Sequence, residues 1–333
     1  MIHLHGPHLL IIIRLGSQLV VVASSPAIAM EILKTHDKIF SGRNLPYRCF
    51  QIIEMKQSSL TMSSQCNDAR KFLRAIGHNF ISVSGVVKDG FLEQKKCLKK
   101  VINHKVSVRA RIFPYDIVVF GDGNRELLIA GTDSTIITIV WLMAELIKNL
   151  DIFLRLREEI GQAIKPNSTS LDESILSRCE YFQACINETL RLHIPGPFLV
   201  PHQALENCIL NNYLIPKDSI VLVNAWAIHL DPNNWEDAAS FKPDRFLDSK
   251  IDFLGSCFEF IPFSSGRRMC PGFHMGFRNI LLVVASLVYY FDWSLPGGED
   301  LRNLDMTDKF CTTLKREKPL YLVPRLRERF HVG

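Results

Sequence analysis

A mainly α fold with a small β region is the class that the sequence predicts. Three observations carry it. Two long apolar segments contain no proline, residues 125–149 and 280–288; charged segments between them place apolar residues at helical spacing; and β-branched runs are few, short and bounded by turn residues. With 47% hydrophobic and 22% charged residues in 333, the chain has the material for a large core, and it is not a disordered tail, a collagen or a coiled coil. By length, 333 residues make one large domain or two ordinary ones.

Taken along the chain, residues 10–13 and 19–22 are β-branched runs separated by Gly16-Ser17-Gln18, the pattern of a hairpin. Ser25-Pro26 then opens a helix with Ile28, Ile32 and Leu33 on one face, because a proline N–H would be unpaired in the first turn anyway. Residues 67–105 are helical and basic, and 114–120 form a short apolar run of open type. Residues 125–149 read as a long buried helix and 151–164 as an amphipathic surface helix. A further helix over 181–192 stops ahead of Pro195-Gly196-Pro197. Short strands follow at Cys208–Leu210 and Ile220–Val223, joined through Asn211-Asn212 and Pro216-Lys217-Asp218. Residues 230–265, rich in Pro, Asp, Asn and aromatics, predict a long ordered loop, and loops of that length usually carry function. The apolar run 280–288 predicts a buried core helix. It is shorter than the roughly 20 apolar residues of a membrane span.

The 39 Lys+Arg exceed the 34 Asp+Glu by a net charge of +5 that is scattered along the chain, which leaves no basic tail for nucleic acid but permits a mildly basic docking face. The nine cysteines are odd in number and include no C-x-x-C pair. Those facts argue against a disulfide framework and a zinc ribbon, and favour a reducing compartment.

The chemistry converges on Phe263-Ser264-Ser265-Gly266-Arg267-Arg268-Met269-Cys270-Pro271-Gly272, which closes the long loop and precedes the last apolar helix. A cysteine just ahead of a helix faces unpaired backbone N–H groups and the positive dipole end, which favours an anionic sulfur ligand, with Pro271 suited to the first helical position. Any one cysteine is more often a buried, inert side chain, but that alternative leaves Phe263, Gly266, Arg268 and Gly272 unexplained. The pattern F-x-x-G-x-R-x-C-x-G resembles the haem-binding signature of the cytochrome P-450 superfamily. The resemblance implies haem b with Cys270 as the thiolate on its iron, pushing electron density toward it. It further implies Arg268 on a haem propionate, with Gly266 and Gly272 allowing close backbone approach. Ser264 stands where members usually have glycine, which strains the loop if the position needs a positive φ.

Three further patterns resemble the same family. Glu188-Thr189-Leu190-Arg191 matches its E-x-x-R helix and Pro243-Asp244-Arg245-Phe246 the partner motif, which implies that Glu188, Arg191 and Arg245 form a buried charge network fixing the loop that leads to Cys270. Alone, E-x-x-R is no more than an i, i+3 ion pair. Ala130-Gly131-Thr132-Asp133-Ser134-Thr135 resembles the oxygen-activation motif, with Asp133 as acid and Ser134 as alcohol relaying protons. A helix N-cap or a solvated break is the plain alternative for that segment. Arg74, in Arg70-Lys71-Phe72-Leu73-Arg74, matches the arginine of a W-x-x-x-R propionate-binding helix whose tryptophan position is Arg70. His202 stands at a basic propionate contact of plant members.

The resemblance is to plant microsomal members, most similar in wording to alkaloid and monoterpenoid hydroxylases, and it implies a single large domain over residues 1–333, with an N-terminal hairpin and helices in 1–110, a haem-binding core in 123–333 and part of the middle helices missing. It implies a monooxygenase taking dioxygen, a small apolar or aromatic metabolite, and electrons from an NADPH–cytochrome P-450 reductase docked near Arg267 and Arg278. Its expected location is the cytosolic face of the endoplasmic reticulum membrane, with the cytosol as the alternative where the anchor is absent. His5-Gly6-Pro7 resembles the start of the catalytic domain, so the membrane anchor is expected to be absent and no spanning segment is expected here. Only 55 residues separate Arg74 from Ala130, where members insert several helices. A truncated member without activity is the alternative function.

Overall fold

The hairpin of residues 10–23 forms because both runs are β-branched and the turn between them is polar. With strands numbered along the chain, β2 (Leu10–Leu15) pairs antiparallel with β3 (Gln18–Ala23), Leu10 opposite Ala23 and Leu15 opposite Gln18. β1 (Ile2–His5) adds to the outer edge of β2. On its other side β3 pairs in parallel with β7 (Ile220–Val223), and β7 pairs antiparallel with β4 (His202–Gln203), so the sheet runs β1-β2-β3-β7-β4. The computed structural model of the chain describes residues 2–5, 10–15, 17–43, 122–164, 173–310 and 313–327. The expected helical stretch 67–105, the run 114–120 and Arg74 lie outside the described residues.

Two compact units emerge from the backbone contacts. The first joins Met1–Leu60, Ala184–Met275 and Lys309–Lys315, and holds the five-stranded sheet. Ser25 caps the helix α1 (Pro26–Met30), accepting the Ile28 N–H at 3.4 Å, and a π-helical turn (Glu31–Thr35) continues it. Its apolar face, Ile28, Ile32 and Leu33, joins Leu10, Val21 and Val221 in one core. A separate hairpin, β5 (Cys208–Leu210) with β6 (Tyr213–Ile215), turns through Asn211 and Asn212, both at positive φ. Asparagine tolerates that conformation better than most residues, which is why the turn falls there.

The second unit joins Thr61–Gln183, Gly276–Asp308 and Arg316–Gly333. Its main element is α2 (Asp122–Lys148), whose Trp141, Leu142, Leu146 and Ile147 are buried. α3 (Leu150–Ala163) buries Phe153, Leu156 and Ile160, the i, i+3, i+7 face of an amphipathic helix. After the short α4 (Glu173–Leu176), α5 (Glu180–Leu192) starts where Glu159 of α3 accepts the N–H groups of Tyr181 and Phe182, both at 2.9 Å. A carboxylate there satisfies two orphan donors and the positive end of the helix dipole together. At the other end of the unit, Arg157 closes the helix over Phe273–Tyr290 by donating to the carbonyls of Val288 and Phe291 and pairing with Asp292 at 2.6 Å. β8 (Phe291–Ser294) then pairs antiparallel with β9 (Val323–Leu326).

Residues 130–148 and 273–290 are each long and apolar enough to cross a membrane, yet 50% and 44% of these windows are buried inside the protein.

Replacing Glu159 by Ala removes both acceptors from the start of α5 and is expected to cost about 1–2 kcal/mol in urea unfolding. Glu159→Gln, which keeps one carbonyl oxygen, should cost less.

Candidate functional site

The first unit is organised by a buried charge. Arg191 and Glu188 are both fully buried and meet through two parallel bonds, Nε to Oε2 at 2.7 Å and Nη2 to Oε1 at 2.9 Å. Arg245 adds a third, Nε to Glu188 Oε1 at 3.0 Å, and the Lys242 N–H a fourth at 2.9 Å. One carboxylate thus faces two guanidiniums, and the excess positive charge is taken up by main-chain carbonyls. Arg191 Nη1 donates to His229 and Ala238, both at 2.8 Å, and Arg245 Nη1 donates to Glu236 at 2.9 Å. Glu188, Arg191 and Arg245 therefore meet, and they draw the loop 229–245 back onto α5. Breaking such a buried pair leaves an uncompensated charge, at a cost of about 3–5 kcal/mol.

The loop bearing Cys270 turns on left-handed backbone. Gly266 has φ +67°, and a Cβ there would lie 1.9 Å from the Leu33 carbonyl oxygen, so only glycine fits against the π-helical turn. Ser264 has φ +66° and is buried with its hydroxyl unpaired. The Ser264 N–H donates to Ile261 at 3.0 Å, the Met269 N–H to Gly266 at 3.1 Å and the Cys270 N–H to Phe263 at 2.9 Å. The Phe263 ring packs with Phe253 and Phe273, at 5.6 and 6.1 Å between centroids. Cys270 is a free, half-buried thiol, and a Cβ at Gly272 would meet nothing within 4 Å. The helix begins at Phe273, so Pro271 lies in the turn ahead of it rather than at its first position. The other described cysteines, Cys179, Cys185, Cys208 and Cys257, are likewise not in disulfides.

Beside this loop three basic side chains share one stretch of backbone. Arg268 donates to the Ser41 carbonyl through Nε and Nη2, at 2.8 and 2.6 Å, and Arg43 donates to Val200 at 2.6 Å. His202 Nδ1 meets the Phe40 carbonyl at 2.8 Å, so the neutral ring is protonated there and its Nε2 is left buried without a partner. Burial, opposed by that hydrogen bond and helped by Arg43 and Arg268, lowers the His202 pKa to about 4. Burial and Arg268 together lower that of Arg43 to about 10, still cationic at neutral pH. The two like charges of Arg43 and Arg268 make a place for an anionic group, and one with carboxylate oxygens fits them; His202 Nε2, an unprotonated acceptor, would donate to such a group only after taking up a proton. Arg43 carries no motif in the sequence; only the β-bridge between Gly42 and Gln203 brings it to His202.

Asp133 and Ser134 lie in the second unit, inside α2 rather than at its N-cap. Ser134 Oγ donates to the Ala130 carbonyl at 2.6 Å, Thr135 Oγ1 to Gly131 at 3.0 Å and Thr138 Oγ1 to Ser134 at 2.9 Å. Such i−4 bonds satisfy hydroxyls in a half-buried helix and tend to bend it. Arg267 pairs with Asp37, and Arg278 with Glu173.

This mixed α and β architecture is the fold of the cytochromes P-450: a zebrafish cytochrome P-450 solved with abiraterone matches it with a TM-score of 0.64 over 95% of each chain, at 21% identity. A family model for cytochrome P-450 covers residues 125–323. (S)-N-methylcoclaurine 3'-hydroxylase isozyme 1 of Papaver somniferum is 31% identical over 426 residues, spanning 95% of this chain and 88% of the relative. 5-Epiaristolochene 1,3-dihydroxylase of Nicotiana tabacum is 44% identical over 197 residues, 59% of this chain and 39% of that one. The chain belongs to the cytochrome P-450 family, and its enzyme class is that of the monooxygenases. The first alignment is longer than the 333 residues of this chain, so the relative carries internal sequence that has no counterpart here.

Replacing Ser264 by Gly removes both the left-handed strain and the orphaned hydroxyl, and is expected to raise the unfolding free energy by about 1–2 kcal/mol. Ser264→Ala, which keeps the Cβ, should gain less. Acid should weaken the fold through its buried histidines. His202 and His229 have folded pKa values lowered by burial to about 4 and about 3, against an ordinary 6.5. The unfolded chain therefore binds more protons below pH 6.5, and stability falls from there toward pH 4 and below. Unfolding free energy measured against pH should show this slope, and His202→Gln should reduce it by about one proton between pH 4 and 6.5.

Proposed function

We propose that this protein is a haem-dependent monooxygenase that hydroxylates a small apolar or aromatic plant metabolite, of the alkaloid or terpenoid class. The observation that carries the reading is the convergence of the Cys270 thiol, the left-handed loop and the Arg43–His202–Arg268 cluster within one unit. Haem b fits these residues, with Cys270 as the thiolate ligand and the propionates on the basic cluster; Arg74 is a further propionate contact by its motif. When bound, haem supplies the iron chemistry that activates dioxygen, with the thiolate favouring O–O cleavage.

The chain's own residues have separate tasks in this reading. Gly266 and Gly272 keep side-chain bulk out of the loop, and Phe263 anchors its first residue in an aromatic cluster. Glu188, Arg191 and Arg245 hold the approach to the loop. Asp133 and Ser134 would hold and pass protons, the acid by its carboxylate and the alcohol by its hydroxyl. The overall reaction takes a substrate C–H bond, dioxygen, two electrons and two protons to a C–OH bond and water. The electrons come from an NADPH–cytochrome P-450 reductase, and the site of action is the cytosolic face of the endoplasmic reticulum membrane.

A second reading is a family member that binds haem without turnover, and the alignment that outruns this chain favours it.

Reduction of the haem-loaded protein under carbon monoxide tests the cofactor assignment. A thiolate-type red shift of the Soret band is expected in the wild type and should vanish in Cys270→Ala. Failure to take up haem, or a shift that survives in Cys270→Ala, contradicts it. Turnover of a substrate with incorporation of one atom of labelled dioxygen separates the monooxygenase from the inactive binder.

A further inference from the structure

His229 ends the short helix over Ala225–His229 and is fully buried, and no sequence motif singles it out. It makes two contacts of different kinds. Its main-chain carbonyl accepts Arg191 Nη1 at 2.8 Å, and its ring Nε2 accepts the Ile261 N–H at 3.0 Å. Because an amide N–H can only donate, Nε2 is unprotonated and the neutral ring carries its proton on Nδ1. That Nδ1 is buried with no partner at hydrogen-bond geometry, and the main chain of Leu190 and Arg191 lies beside the ring. An apolar side chain would leave the Ile261 amide unpaired. Burial, with the Arg191 charge, holds the ring down to a pKa of about 3, so the acceptor persists across the physiological range.

The acceptor sits at the head of a series of main-chain bonds that ends at the Cys270 amide. The Ile261 N–H is held by His229; the Ile261 carbonyl accepts Ser264 N–H at 3.0 Å; and the Phe263 carbonyl accepts Cys270 N–H at 2.9 Å. Packing fixes the ring from the side. Phe260 lies 5.4 Å from His229 and 5.0 Å from Phe246, and Arg191 stands over Trp235 at 5.2 Å, with Trp235 6.3 Å from Phe260.

We infer that His229 is a positioning residue for the Cys270 sulfur, coupling the buried Glu188–Arg191 pair to the loop through a single ring acceptor. Its consequence for iron ligation rests on the haem-thiolate reading; the coupling itself does not.

Two variants of the full chain test it. His229→Phe fills similar space without an acceptor, and His229→Gln can return one. Amide exchange is read at Ile261, Ser264 and Cys270 before haem is added, and the thiolate-type share of the carbon monoxide spectrum afterwards. In His229→Phe the three loop amides should exchange about tenfold faster or more, while amides in the middle of α5 keep their protection. The thiolate-type share should fall, and His229→Gln should restore most of both. Wild-type exchange at Cys270 in His229→Phe overturns the proposal, as does equal loss of protection along the whole chain in both variants. If the wild type shows no thiolate-type spectrum, the haem reading fails, and the exchange comparison alone still decides the coupling.

Discussion

The buried guanidinium of Arg191 is the constraint on which the rest of the first unit depends. A charge with no exposure to water is tolerated only when every donor is satisfied, and one carboxylate cannot do that for two arginines. The remaining donors reach the carbonyls of residues 229, 236, 238 and 240, which come from a loop with little regular structure. The long segment is ordered because its backbone polar groups are the partners the charge requires. Trp235, against which both guanidiniums lie, closes the arrangement from the apolar side.

From that anchor the chain must turn sharply to present Cys270 ahead of the last helix, and left-handed residues make the turn. Gly255, Ser264 and Gly266 all have positive φ, and Ser265 Oγ donates to the Gly255 carbonyl at 2.6 Å to hold two of these corners together. Glycine is obligatory at 266, where Leu33 leaves no room for a Cβ. Serine at 264 is tolerated at a cost in backbone strain and an unpaired hydroxyl. The loop is thus set mainly by backbone geometry, while the side chains of Phe263 and Arg268 fasten its two ends to an aromatic cluster and to Ser41.

Much of this was legible in the amino acids. The hairpin of residues 10–23, the helices over Asp122–Lys148 and Glu180–Leu192, and the buried helix before Phe291 follow from periodicity and from capping or breaking residues, which are local signals. The positive φ at Ser264 was foreseeable because glycine is usual there. What stayed hidden depends on contacts between distant residues. The parallel pairing of β3 with β7 joins strands two hundred residues apart in sequence, and Arg43 meets its carbonyl partners across 157 and 158 positions. His202 reads as an ordinary loop histidine until the bridge at Gly42 buries it, and His229 is indistinguishable from its neighbours until Ile261 is folded against it.

The central claim is that the loop so constrained presents Cys270 as a sulfur ligand to haem iron. X-ray absorption at the iron edge of the haem-loaded full chain addresses it directly. A sulfur scatterer in the first coordination shell of the wild type, lost in Cys270→Ser, is the result this account predicts. A shell of nitrogen and oxygen alone in the wild type, or sulfur retained in Cys270→Ser, would contradict it.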